Sequence, residues 1–299
     1  MLRLRTIGFL AITALFLQAG TCGPRTLPPG FGDAIPFTAW DNINPGETVI
    51  LNGQVNHVNY STNLNTGETT AGVTFRNSGE LTVGFDNNLD IESASINAGP
   101  ASVGFDTNNG DIFTSASPLA INAESADGED RAIFANVEAL GFNYQTFGVW
   151  FTGFATGSGI AAVGTFGAPT LTPNVPIAGV ATYNGGAAGF ALDPAGNPFF
   201  VVSLAEVMVD FTGQTFTFET TGSALENLNT GAQFADSGFD LSGSGAINGA
   251  GLQGNVTAVS DLSGSIDGSL YGVNASEVGG LFNLSGPDGR YTGSFGAVD

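Results

Sequence analysis

From about residue 37 to the C-terminus, apolar side chains recur at every second position and are broken every few residues by Gly, Asn, Asp or Thr. A period of two belongs to an extended chain with one buried face, and short runs bounded by turn formers belong to antiparallel strands in close succession. The best helical candidate, Ser223–Asn229 (SALENLN), is too short to organise a domain. Hydrophobic residues make up 42% of the chain and phenylalanine alone contributes 24, enough to bury substantial cores despite the strong negative charge. The expectation is an all-β protein.

The second half alternates regularly enough for its strands to be counted. Ala205, Val207, Val209 and Phe211 share a face, Thr212-Gly213 turns, and Phe216 and Phe218 return. Phe239–Ile247 and Leu252–Ala258 form a second hairpin around Asn248-Gly249. Runs around Ile266–Leu270, Val278–Leu284 and Tyr291–Ala297 give three more strands, and 177–192 opens the set, for a total of eight. Glycine at many of these positions suits the bends of a small barrel, and closure removes exposed strand edges. The reading is an N-terminal antiparallel β domain followed by an eight-stranded antiparallel up-and-down β-barrel.

The first half carries a short repeat: Val83-Gly84-Phe85-Asp86 with its Asn/Asp-rich sequel returns as Val103-Gly104-Phe105-Asp106, and both copies read as hairpins. Asp106, Asn108 and Asp111 place oxygens at close spacing and are a candidate calcium loop, although the glutamate and spacing of a recognised loop are missing and ordinary turn formation is the competing reading. Phe142, Tyr144, Trp150 and Phe154 fall at even positions; on one extended segment they would share a face, as sheet core or as the lining of a ligand groove.

The N-terminus has Arg3 and Arg5, an apolar run from Ile7 to Leu17 and a small polar stretch, which reads as an export signal over 1–22. That run is well short of the roughly 20 residues of a membrane-spanning helix. Cys22, the only cysteine, stands where a lipoprotein precursor is cleaved and acylated, and cleavage after Ala19 is the alternative. Residues 23–36, rich in Pro and Gly, read as a tether; a second proline-rich break at 169–176 separates domains at 37–168 and 177–299. Beyond Cys22 there are 27 acidic residues and four basic ones (Arg25, Arg76, Arg131, Arg290), a net charge of −23, and lysine is absent. Such a field repels nucleic acid and anionic lipid, so the only membrane attachment expected is an acyl anchor.

Little in the chain suits catalysis. His57 is the only histidine, so a triad or multi-histidine metal site would rest on one residue. Without lysine there is neither a phosphate-loop lysine nor Schiff-base chemistry. Asp127, Glu129 and Asp130 lie close together, but in a polar loop-like stretch. The chain is read as a binding protein without cofactor, not as an enzyme.

Several segments of the second half, taken in order, resemble a known family. They are Gly179–Gly185 (GVATYNG), Val207–Phe211 (VMVDF), Leu270-Tyr271-Gly272, Ala275–Phe282 (ASEVGGLF) and Tyr291–Ala297 (YTGSFGA). Together they resemble the C-terminal barrel of transferrin-binding-protein-B-like surface lipoproteins, over roughly residues 176–299. Val273 stands where the family has proline, and the first half carries no such signature. The resemblance implies an outer-membrane surface lipoprotein held by its acylated cysteine and delivered by an outer-membrane translocator. It also implies a macromolecular, iron-carrying or haem-related partner held by inter-strand loops. The connections 272–276 and 222–238 are the first places to look for that partner surface. An adhesive or structural surface protein stabilised by calcium, or one secreted or periplasmic if Cys22 is not acylated, is the alternative.

Overall fold

The computed structural model describes residues 39–117 and 119–299; Cys22 and the segments read as export signal and tether lie outside the described residues. The fold is all-β, with helix limited to single turns.

The first sheet contains β1 (Thr48–Thr62), β2 (Thr69–Ala71), β3 (Phe75–Phe85), β4 (Ile91–Asn97), β5 (Val103–Asp106), β6 (Ile112–Ser117), β7 (Ala120–Glu124), β8 (Arg131–Ala135), β9 (Gln145–Phe151) and β10 (Ser158–Gly167). Its order is β5-β4-β3-β1-β10-β9-β8-β7-β6, with β2 paired to β1. The two outermost strands, β5 and β6, are consecutive in the chain, so the sheet curls until residues 107–111 bridge its edges. Its interior holds Val49, Leu51, Val55, Leu81, Ile96, Trp150, Ala162 and Phe166.

The second sheet contains β11 (Val180–Leu192), β12 (Pro198–Asp210), β13 (Thr215–Asn227), β14 (Gln233–Ala235), β15 (Leu241–Asn248), β16 (Gly251–Ala258), β17 (Ser263–Tyr271), β18 (Glu277–Gly286) and β19 (Gly289–Val298). Apart from the three-residue β14, each strand pairs with its chain neighbours, and β19 pairs with β11 to close an eight-stranded up-and-down barrel. Inside it, Phe218 lies 4.7 Å from Phe295 and Phe282 lies 4.8 Å from Tyr291, centroid to centroid. Each such ring contributes roughly 1.5–3 kcal/mol by leaving water.

The barrel's outer face is apolar on one side only. Ala188, Phe190, Leu192, Phe200 and Leu281 point outward and pack against Phe147, Val149, Phe151, Ala161 and Val163 of the first sheet. β9 is therefore buried on both faces: Trp150 looks into the first sheet and its odd-numbered neighbours look at the barrel.

Three sequence expectations are corrected by these contacts. Ser223–Asn229 is not helical: 223–227 extend β13, where Leu225 enters the barrel core and β14 pairs alongside. The two repeat copies differ, because the first is the β3–β4 hairpin while the second crosses from one sheet edge to the other. The even-numbered aromatics do not share a face: Trp150 lies inside the first sheet, whereas Phe142 and Phe154 belong to the seam with the barrel.

Candidate functional site

The residues first considered for chemistry are held in structural roles. One Asp106 oxygen accepts the Asn108 N–H at 2.8 Å, and Asp111 accepts the N–H groups of Asp106 and Ala126, each at 2.8 Å. The Asn108 amide donates to Glu92 at 3.0 Å. These bonds pin the bridge between the sheet edges, and among the described residues no group of three or more His, Cys, Asp or Glu is arranged to hold a metal ion. His57 lies in a row that crosses the sheet interior from Phe113 through Ala123, Ala132, Trp150 and Ala162 to His57 and Phe75. Its ring stacks on Phe75 with centroids 5.6 Å apart, its Nδ1 has no hydrogen-bond partner, and burial lowers its pKa. Asp127 accepts from Ser125 and from the Glu129 N–H, as a turn residue does.

The two connections expected to meet a partner have different fates. Residues 272–276 form the seam between barrel and first sheet. Gly272 has φ +75, and a β-carbon there would lie 2.3 Å from the Tyr144 ring. Glu277, 1% exposed, accepts the N–H groups of Asn143 at 2.6 Å and Tyr144 at 3.1 Å. Gln145 donates from Nε2 to the carbonyls of Val278 at 2.8 Å and Ala297 at 3.2 Å; a β-carbon on Gly279 would strike its oxygen. Trp40 adds a bond at the start of β9, its indole N–H donating to the Gln145 carbonyl at 3.0 Å. The motif Tyr271-Gly272 with Glu277-x-Gly279-Gly280 thus clamps one sheet to the other. The sequence concealed this because Glu277's partners are backbone amides more than 130 residues away.

Of the connection 222–238, residues 223–226 are buried in β13, and the part from Asn229 onward is largely exposed. Its turn meets the β1–β2 turn, where the Asn229 side chain donates to the Gly67 carbonyl. Beside it, the Thr69 N–H donates to Gly196 in the β11–β12 turn at 2.8 Å. The Thr62 N–H donates to Gly157 at 2.6 Å, and Phe154 in the same β9–β10 turn donates to the Glu129 carbonyl at 2.7 Å. Five turns from both sheets therefore adjoin one another. Leu64, 66% exposed, lies in the β1–β2 turn and Phe234, 43% exposed, on β14 beside the β13–β14 turn; Glu68, Asp127, Glu129 and Asp193 belong to the same five turns.

All three arginines of the described residues lie along the seam. Arg76 pairs with Asp267 of the barrel, and Arg290 of the barrel donates to the Gly72 carbonyl. Arg131 bonds Glu124 at 3.1 Å and covers the Phe154 ring at 4.3 Å; its charge also reaches Glu226 on the barrel. Glu226 is held above the usual carboxylate range by burial, with Gln233 and Arg131 acting against that rise.

These features define a β protein built as a closed barrel with a curled sheet packed on its flank and turns of both adjoining one another. Residues 175–299 match the family described as C-lobe and N-lobe beta barrels of Tf-binding protein B. Among solved structures, the chain is similar to a tryptophan-to-alanine variant of transferrin-binding protein B from Haemophilus parasuis, with 12% identity, TM-score 0.46, and 85% of this chain and 76% of the other covered. A phenylalanine-to-alanine variant from Actinobacillus pleuropneumoniae has 14% identity, TM-score 0.45, and coverage of 82% and 98%. The N-lobe domain of lactoferrin-binding protein B from Moraxella bovis has 13% identity, TM-score 0.40, and coverage of 83% and 99%. No curated protein matches the chain in sequence.

Proposed function

We propose that this is a non-catalytic surface receptor, anchored through acylated Cys22, that binds an iron-carrying protein with the turns shared by its two sheets. The observation that carries the reading is the adjoining of the β1–β2, β9–β10, β11–β12 and β13–β14 turns, which sets exposed Leu64 and Phe234 in an acidic surround on a rigid β scaffold. Apolar anchors within a charged rim suit a protein partner, and the sign of the rim favours a basic face on it. Proteins with similar folds are named for binding transferrin and lactoferrin, which makes iron carriers the first partners to test.

The test is binding of iron-loaded transferrin and lactoferrin to the intact protein and to a Leu64→Ser/Phe234→Ser variant. Binding by the wild type that falls at least tenfold in the variant, with melting unchanged, supports the reading. Equal binding by both would move the site elsewhere, and no binding to any iron carrier or haem would remove the receptor assignment. Anchoring is tested separately: wild type should carry acyl mass in the outer membrane, and Cys22→Ala should be released.

A further inference from the structure

Glu277 is a carboxylate whose bonds to backbone amides join the two sheets, and among the described residues no cation is in contact with it. The groups facing it are Asp41 of the turn at Trp40–Asn42, Tyr144 ahead of β9, and Tyr271 at the end of β17. The C-terminal Asp299 lies close by, its N–H donating to Ser276, and the Arg76–Asp267 pair lies beyond Tyr271. The Asn143 side-chain amide, turned with its nitrogen toward Asp41, donates to that carboxylate at 2.9 Å, which ties Asp41 to the residue whose backbone N–H binds Glu277.

We infer that Glu277 is a pH-responsive latch that clamps the first sheet to the barrel more firmly in acid than in alkali. Two opposed effects meet at this carboxyl. Backbone N–H donors favour its charged form, while burial and Asp41 favour the neutral form. Burial prevails, and its pKa is pushed up from 4.5 to about 7. The sign follows directly: a group that holds its proton more tightly when the seam is closed stabilises closure fully below its ordinary value and loses that contribution as pH rises through the shifted one. At neutral pH the carboxyl is half protonated and most of the latch's contribution has already been lost.

The experiment is hydrogen exchange of the Asn143 and Tyr144 amides in the full exported chain, corrected for intrinsic base catalysis, together with thermal melting from about pH 5 to about pH 8. In the wild type the corrected opening equilibrium should rise on the order of tens of fold across this range. In Glu277→Gln it should stay flat. A second variant, Asp41→Asn, removes the neighbouring charge and should move the wild-type rise to lower pH. Parallel profiles for wild type and Glu277→Gln, or an unmoved rise in Asp41→Asn should Glu277→Gln not fold, would overturn the inference.

Discussion

Burial acts on His57 and Glu277 in opposite senses of pH. The imidazole is lowered from 6.5 by burial, so the stability it allows is complete above that value and is lost as pH falls through the lowered one. Glu277 acts the other way over the range from 4.5 to about 7. Replacing His57 with Gln should flatten the acid side of a melting profile while leaving the neutral-to-alkaline fall in place; an unchanged acid side would show that the imidazole does not limit stability there. Gly272 offers a purely steric test. A methyl group at its positive φ, pressed against the Tyr144 ring, should cost roughly 1–3 kcal/mol in urea unfolding, and a neutral Gly272→Ala would mean that the seam relaxes. None of this was legible in the residues alone. A lone histidine could be counted from the sequence, but its row between Ala162 and Phe75 depends on the register of three strands.

At the scale of elements, legibility followed alternation. The barrel strands announced themselves because one side of each faces a phenylalanine-rich core and most of the other faces water. β9 gave no such signal: seven buried residues in succession erase the period of two. Ser223–Asn229 misled for the opposite reason, since Ala, Leu and Glu favour a helix locally while pairing with β12 and β14 holds residues 223–227 extended. The double burial of β9 and its barrel counterparts can be measured. Truncating Phe147 on β9, or Phe190 on β11, should each cost about 3–5 kcal/mol of stability, because each loses packing partners in the seam. A cost below about 1 kcal/mol for either would mean that the seam is loosely packed.

Taken as a whole, the molecule joins two strongly acidic bodies through an apolar seam, and its described cations all lie along the join. Repulsion between the bodies is screened by salt while buried contacts are not, so melting should rise with sodium chloride from about 10 mM to about 300 mM. A falling melting temperature would show that the arginine contacts outweigh the repulsion. The barrel excised as residues 175–299 should self-associate in sedimentation, because Phe190, Phe200 and Leu281 would face water; a monodisperse barrel would contradict that account of its flank.

The placement of the arginines also bears on how the protein meets proteases. With no lysine in the chain, trypsin can cut the described residues only after Arg76, Arg131 and Arg290, and the first and last of these bond across the seam. A closed molecule offers the bonds after Arg76 and Arg290 poorly and a parted one exposes them, so tryptic cleavage there is a natural clock for how often the seam opens.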